Sequence, residues 1–385
     1  MFDITVKQDL LSNALDSIKK TVNQKPATGN EYQSFVLLQT DGAGTLKLTT
    51  FDGNQGSVTY LPCTVNEYTS ECNLILYDQL SVLVSTFPDT NVKIIDDPNE
   101  SIVKITHAGR TKYITLSKMD YKLFNVKLPL INPICSIESS ILKLIVDKAK
   151  SIVQKGQSPL DSSIEIKLAN NNCIATCKNA ISKTMMLYEK NIVLQNNVNL
   201  SLLVDTLSIT KIIDIIDDCK QIFIGQDNNY ITLQQDNNIY YIRKLNGTVA
   251  DITKFMPNKY SYEFVFNKYE LLTALTRIKV VSTEMKGLRL ACFSIRDGFT
   301  SIATNGNRGA IEEMVVTIEE TEDMNKRGNI VQFFFNVDTF INIIHLIKED
   351  EIKICINNAS NAVISSKKSN YILRILIPAY RNKTN

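Results

Sequence analysis

Histidine occurs twice in the chain, as His107 and His345, so imidazole-based proton transfer has little to draw on. His345 stands between Ile344 and Leu346 in a helical pattern, and His107 leads into a turn. Both read as structural. The cysteines are Cys63, Cys72, Cys135, Cys173, Cys177, Cys219, Cys292 and Cys355. None forms a CxxC pair, and Cys173 and Cys177 have no second pair or histidine at zinc spacing. They read as buried free thiols. Asp217-Asp218 and Glu349-Asp350-Glu351 close helical patterns without a further carboxylate at metal-site spacing, and no GxxxxGK[ST] loop is present. Asn305-Gly-Asn-Arg-Gly309 lies between two strands and reads as a hairpin turn. This inventory supplies no catalytic constellation, so a non-catalytic protein without cofactor or metal is expected.

A chain of 385 residues, 44% hydrophobic and 21% charged, suits a globular protein of two or three domains. Its 42 basic and 40 acidic residues nearly cancel, so only a segregated charge pattern would serve nucleic-acid binding. No run is apolar enough to span a membrane and no signal-peptide pattern opens the chain, so a cytoplasmic location is expected.

The elements that must position any site come as one unit used three times. It begins at Asp3–Lys20, Ile134–Lys150 and Tyr262–Lys279, each a short alternating strand, a polar break and an amphipathic helix. A second strand–helix unit follows in each third, at Asn73–Phe87, Asn199–Ile216 and Val331–Ile347, with short strands between and after. In the first helix Leu11, Leu15, Ile18 and Val22 share a face. In the middle one Ile141, Ile145, Ala149 and Ile152 do, with Lys143, Asp147, Lys150 and Gln154 on another. The stretch from Lys178 to Val198 carries no predicted element. The reading is an α+β chain of three repeated domains, 1–128, 129–256 and 257–385, each setting two helices on antiparallel sheet. Helices inside and sheets outside would turn basic helix faces toward an inner surface, where DNA could be held by backbone contact alone.

Several stretches then carry a resemblance to a known family. They are Arg277-Ile-Lys-Val-Val-Ser-Thr-Glu-Met-Lys-Gly-Leu-Arg-Leu290, Phe335-Asn336-Val337, Ile239–Pro257 with Lys244-Leu-Asn-Gly247 and Phe255-Met-Pro257, and the ending Tyr371–Pro378. With the threefold repeat and the length, the chain resembles the bacterial replicative sliding clamp, the β subunit of DNA polymerase III, over essentially its whole extent. The resemblance implies a sliding-clamp fold and a head-to-tail homodimer that closes a ring around duplex DNA. It implies a processivity factor opened by a clamp loader, which tethers the replicative DNA polymerase and other proteins bearing clamp-binding motifs.

By position, the resemblance puts Arg110, Lys112, Tyr113 and Thr115 of the first domain against Val280, Val281, Glu312 and Glu313 of the third across the dimer interface. It implies a partner-peptide cleft between the second and third domains. Thr176, Lys178, Asn179, Ala180 and Ile181 would line one side. Ala250 and Phe255 would come from the connecting stretch, and Asn336, Thr339, Ala362, Ile375, Leu376, Ile377, Pro378 and Ala379 from the third domain. For DNA it points to Lys25, Lys155 and Gln157, to which the helix-face reading adds Lys19, Lys20, Lys143, Lys150 and Arg277.

The chain also departs from the family. Thr176-Cys-Lys-Asn-Ala-Ile181 replaces a Thr-Asp-Gly-His-Arg-Leu turn, Ala250 replaces a proline, Thr339 replaces an aromatic residue, and Asn382–Asn385 extend the end. The near-neutral charge differs from the usual acidic balance. A phage, plasmid or divergent bacterial copy fits these departures. The competing reading is a monomeric clamp-like module that captures polymerase peptides without encircling DNA.

Overall fold

The computed structural model describes the chain apart from residues 70–71, 109, 111, 154–157, 195–197, 248–250, 257–259, 283–287, 297–298, 307–308, 321–330, 357–360, 367–368 and 379–385. The elements run β1 (Phe2–Lys7), α1 (Gln8–Ile18), β2 (Phe35–Thr40), β3 (Thr45–Phe51), β4 (Gln55–Pro62), β5 (Thr64–Glu67), β6 (Leu74–Leu76), α2 (Tyr77–Ser85), β7 (Asn91–Asp96), β8 (Ile102–His107) and β9 (Ile114–Met119). They continue with β10 (Cys135–Glu138), α3 (Ser139–Ile152), β11 (Ser163–Ala169), β12 (Asn172–Lys178), β13 (Met185–Asn191), β14 (Asn199–Asp205), α4 (Thr206–Ile213), β15 (Gln221–Gln226), β16 (Tyr230–Gln235) and β17 (Asn238–Arg243). Last come β18 (Tyr262–Asn267), α5 (Lys268–Val281), β19 (Leu290–Arg296), β20 (Phe299–Gly306), β21 (Gly309–Glu320), β22 (Val331–Asn336), α6 (Val337–Leu346), β23 (Glu351–Ile356), β24 (Asn361–Ser366) and β25 (Ile372–Pro378). The order strand, helix, strands, helix, three strands therefore recurs three times, as the periodicity predicted.

Two compact units contain these elements. One, Met1–Lys143 with Leu207–Lys244, holds a 13-stranded sheet ordered β10-β15-β16-β17-β4-β3-β2-β6-β9-β8-β7-β1-β5. The other, Leu144–Thr206 with Leu245–Asn385, holds a 12-stranded sheet ordered β14-β11-β12-β13-β25-β24-β23-β18-β21-β20-β19-β22. In each sheet, strands from two successive repeats join. β4 pairs with β17 in the first, and β13 with β25 in the second, both antiparallel.

In most strands alternation buries one face, which packs beneath the helices where they cover the sheet. In the first unit, Leu11, Ala14, Leu15 and Ile18 of α1 pack with Leu80 and Val84 of α2 against Val36, Leu38, Leu46, Leu48, Ile94 and Ile105. The helix ends at Ile18, and a single 3-10 turn, Lys19–Thr21, follows. That turn brings the Thr21 hydroxyl within 2.6 Å of both Thr50 and Ser57, which satisfies three buried hydroxyls together. The connection after β9 runs over the sheet so closely that two strand positions exclude a side chain. A Cβ at Gly225 would lie 2.8 Å from the Asn132 carbonyl oxygen, and one at Gly56 would lie 3.1 Å from Leu128 Cδ1.

Strand β13 was not predicted. Its burial pattern lacks clean alternation because both faces are covered: Met186 and Tyr188 are buried on one, and Leu187 packs with Ile252, Met256 and Leu376 on the other. The thiol expectation holds for Cys72, Cys135, Cys173, Cys177 and Cys355, whereas Cys63 and Cys292 are half-buried and Cys219 is exposed. Cys219 sits in the turn between α4 and β15 rather than in an element, so nothing covers it. No described helix is long and apolar enough to cross a membrane.

One buried cation was not foreseen. Lys148 of α3 is 3% exposed. Its Nζ donates to the Leu346 carbonyl at the C-terminus of α6, where the helix dipole favours positive charge, and lies 5.4 Å from the centre of the Tyr371 ring. Burial nevertheless lowers its pKa from the ordinary 10.5 to about 8, opposed by the Glu349 carboxylate. Between those two values the unfolded chain holds the proton more tightly than the folded one, so stability rises with pH. The cost of burying the charge is complete below the folded pKa and gone above the unfolded one. From pH 7 to 9.5 the native protein should therefore gain about 2 kcal/mol relative to Lys148→Met. Urea titrations of both proteins at the two pH values check this, and a constant difference would refute it.

Candidate functional site

In the second unit, β13 joins β12 to β25 and brings the predicted cleft segments onto neighbouring strands: Leu187 pairs with Thr176 on one side and with Arg374 on the other. The β12–β13 turn is built by Asn179. This side chain is buried, donates to the Ile152 carbonyl at the end of α3 (2.8 Å), and accepts from the backbone N–H of Ile181 and Ser182 (3.0 Å each). Asn179 thereby presents exposed Ala180 and the 74% exposed Ile181 at the tip. Thr176 is half-buried, and the Lys178 ammonium lies 3.4 Å from Asp161.

Along β25 the predicted residues divide between two faces. Leu376 packs with Leu187, Val363, Cys355, Ile252 and Met256. Ile375 and Ile377 alternate with it, and Ala362 pairs with Ile377; all three are buried and have no surface for a partner. Pro378 ends the strand opposite Asn361. Phe255, in the 3-10 turn Ile252–Phe255 that packs on β13, is 49% exposed. Asn336 caps α6, its side chain accepting from the Thr339 N–H at 3.2 Å. That cap accounts for Asn336 without a ligand; at Thr339 it uses only the backbone N–H. Ala250 and Ala379 lie outside the described residues.

The predicted interface residues fall on two strand edges. β9 pairs with β8 over Ile114–Ser117 and with β6 only at Lys118 and Met119. Its second edge at Tyr113–Ser117 has no partner among the described residues, and Arg110, Lys112, Tyr113 and Thr115 are exposed there. β21 pairs with β20 from Gly309 to Val316 and with β18 only from Thr317 on, so its second edge over Gly309–Val316 is also open among the described residues. Glu312 accepts from the Ser301 hydroxyl, and Glu313 lies 3.1 Å from Arg277. Val280 is 72% exposed and Val281 half-buried at the end of α5.

The proposed DNA cations are less uniform than a helix face. Lys19 and Lys20 fall in the 3-10 turn after α1, and with Lys25 and Lys150 they are exposed. Lys143 is 3.0 Å from Asp218, and Arg277 is drawn to Glu313. Lys155 and Gln157 lie outside the described residues.

No family model and no curated protein matches the chain. Solved structures do. The chain is 17% identical to a putative DNA polymerase III beta subunit from Eubacterium rectale, with a TM-score of 0.84 over 100% of both chains. It is 16% identical to a DNA polymerase sliding clamp from Bacillus subtilis, with a TM-score of 0.84 over 99% of each chain. It is 18% identical to the beta subunit from DNA polymerase of Streptococcus pyogenes, with a TM-score of 0.82 over 99% of this chain and 100% of that one. The chain thus has an α+β fold of repeated clamp units. More particularly, it is the fold of the bacterial DNA polymerase sliding clamps, matched from end to end.

The β12–β13 turn separates scaffold from surface in a testable way. Asn179→Ala removes three hydrogen bonds at a buried position and should cost about 2–3 kcal/mol in urea unfolding. Ile181→Ala, at the exposed tip, should change stability by less than about 0.5 kcal/mol. Equal losses would show that the tip is packed rather than presented.

Proposed function

We propose that this chain is a non-catalytic DNA polymerase processivity clamp. Two copies, each of three clamp domains with boundaries at 1–128, 129–256 and 257–385, associate head to tail into a ring around duplex DNA in the cytoplasm. Replicative polymerase, clamp loader and other partners dock by short peptides at the cleft beside Thr176, Ile181, Phe255 and Pro378. Lys19, Lys20, Lys25, Lys143, Lys150 and Arg277, with Lys155 and Gln157, would face the duplex.

The observation that carries the ring is the register of the repeats. Ile4, Cys135 and Phe264 each stand four residues before the first helix of a repeat. Pairings traced from them across the sheets end at Ile114, Tyr240 and Ile375 in the last strands. Leu38, Ile166 and Phe293 are likewise equivalent relative to the second helices, and lead through the third strands to Thr59, Tyr188 and Glu313 in β4, β13 and β21. Two junctions use these positions identically: Asn238 pairs with Thr59, and Leu373 with Tyr188. The third equivalent pair is Lys112 with Glu313, on the open edges of β9 and β21. Continuing that register sets Tyr113 opposite Glu312, Ile114 opposite Ile311 and Thr115 opposite Ala310. A second copy would complete the same sheet continuity and bring opposite charges together.

The test uses a chain carrying both Thr115→Cys and Ala310→Cys, because directly opposed antiparallel residues lie within disulfide reach, at about 4.5–5.5 Å between Cα atoms. Oxidation should give a denaturant-resistant covalent dimer, absent from wild type and from either single variant. Oxidised in the presence of nicked circular DNA, the dimer should stay on the circle in high salt and leave after linearisation. A monomer by light scattering at every concentration, without cross-linking, would sink the ring and favour the monomeric peptide-capturing module.

A further inference from the structure

The sheet of the second unit holds a pocket of about 390 Å³ that the clamp reading does not use. Its floor is the face formed by β18, β23, β24 and β25, with Cys355, Val363 and Ile372 as its apolar part. Tyr260 stands at one side, and the β24–β25 hairpin residues Ser366 and Ser369 at the other. None of the predicted cleft residues lines it.

Its polar content is unbalanced. Glu263 and Lys353 lie 2.6 Å apart and offset each other. Arg374, half-buried on β25, has no acidic partner among the described residues. The Tyr260 hydroxyl is buried and has no hydrogen-bond partner among the described residues. Burial raises the phenol's pKa, so it remains a donor, and the Arg374 charge is close enough to act on it. A cation and an orphaned donor sharing a partly apolar pocket are what a carboxylate needs.

The repeat shows that the fold does not require this arginine. By the register traced above, Glu263 and Lys353 correspond to Asp3 and Lys93, which form the same ion pair at 3.0 Å in the first repeat. Arg374, in contrast, corresponds to Tyr113 and Ile239. The ion pair thus recurs where the first and third repeats share a structural need, and the unpaired cation is peculiar to the third.

We propose that this pocket binds a carboxylate carried on an apolar body of about dipeptide size. Arg374 takes the carboxylate, the Tyr260 hydroxyl donates to it, and exposed Ile372, with only the margins of the buried Val363 and Cys355, receives the apolar part. The carboxylate comes either from an acidic residue of a polypeptide or from a free organic acid. The site is independent of ring closure.

The test titrates full-length protein, by calorimetry or ligand-observed NMR, with three probes: N-acetyl-Leu-Asp amide, its Asn counterpart, and phenylacetate. The Asp probe or phenylacetate should bind at least about tenfold more tightly than the neutral Asn probe. Arg374→Gln should remove that preference, and Tyr260→Phe should weaken the acid several-fold. Ser365→Leu, which fills the floor, should exclude every probe even if Arg374→Gln perturbs folding. Preference for the Asp probe supports a polypeptide source, and preference for phenylacetate a free acid. Equal binding of acid and amide, an unaffected Arg374→Gln variant, or no binding up to about 10 mM would overturn the proposal. The Thr115→Cys/Ala310→Cys cross-link should be unchanged by Arg374→Gln, so failure of this site and failure of the ring are distinguishable.

Discussion

Backbone hydrogen bonding at strand edges is the constraint from which the rest follows. Among the described strands, the fourth and the last of each repeat have an edge that the repeat itself leaves open over most of its length, besides the sheet-end strands β5, β10, β14 and β22. Unpaired N–H and C=O groups in a row are costly if buried and adhesive if exposed. The chain satisfies two such meetings internally, β4 with β17 and β13 with β25, and the 13- and 12-stranded sheets are the result. Of the fourth-strand and last-strand edges, those left over are on β9 and β21, in the first and last repeats. In the proposed ring these two edges would form a heterologous pair between copies, and such pairs give rings or filaments according to the rotation between copies. The exposed charges there are of opposite sign, Arg110 and Lys112 on one edge and Glu312 on the other. Across the proposed interface the edges would therefore be selective for each other rather than generally adhesive.

Secondary to this are the helix ends. α6 ends against two ammonium groups, with Lys148 donating to the Leu346 carbonyl and Lys268 to the Ile347 carbonyl. α3 ends on Asn179, whose amide serves the Ile152 carbonyl while its oxygen folds the following turn. One side chain thus joins a helix terminus in the core to the exposed tip at Ile181. The resemblance would put a histidine at this position; the asparagine found here acts as a capping group that fixes where the turn stands.

The sequence made the repeat legible because 3.6-residue periodicity after a polar break is a local signal that occurs three times over. It did not reveal β13, whose two faces are both covered, nor the burial of Lys148, which lies on α3 beside Asp147 of the polar stripe. Alternation along β25 was visible, but sorting Leu376 from Ile375 and Ile377 required knowing that the Ile252–Met256 segment covers one face. Asn336 drew notice through resemblance, and its capping role needed only the rule that Asn before a helix accepts from the third N–H. Arg374 was passed over entirely. No local pattern marks an unpaired cation, because the absence of a carboxylate is a fact about the strands beside it.

Charge pairing bears on how such a ring would hold DNA. Of the cations assigned to the duplex, Lys143 and Arg277 already have carboxylates at 3.0 and 3.1 Å. Lys211, on α4, is likewise engaged, 3.1 Å from Asp52. Lys19, Lys20, Lys25 and Lys150 remain exposed. Each phosphate neutralised adds to affinity through released counterions, and a small number of such contacts gives weak binding with a shallow salt dependence. A protein that must stay on DNA through these contacts alone would be poorly built. One that stays by topological closure is better served by few contacts, because each lysine released at one phosphate finds an equivalent one nearby. The near-neutral balance of the chain, which as a net charge does not advertise nucleic-acid binding, is a balance that sliding inside the proposed ring would permit.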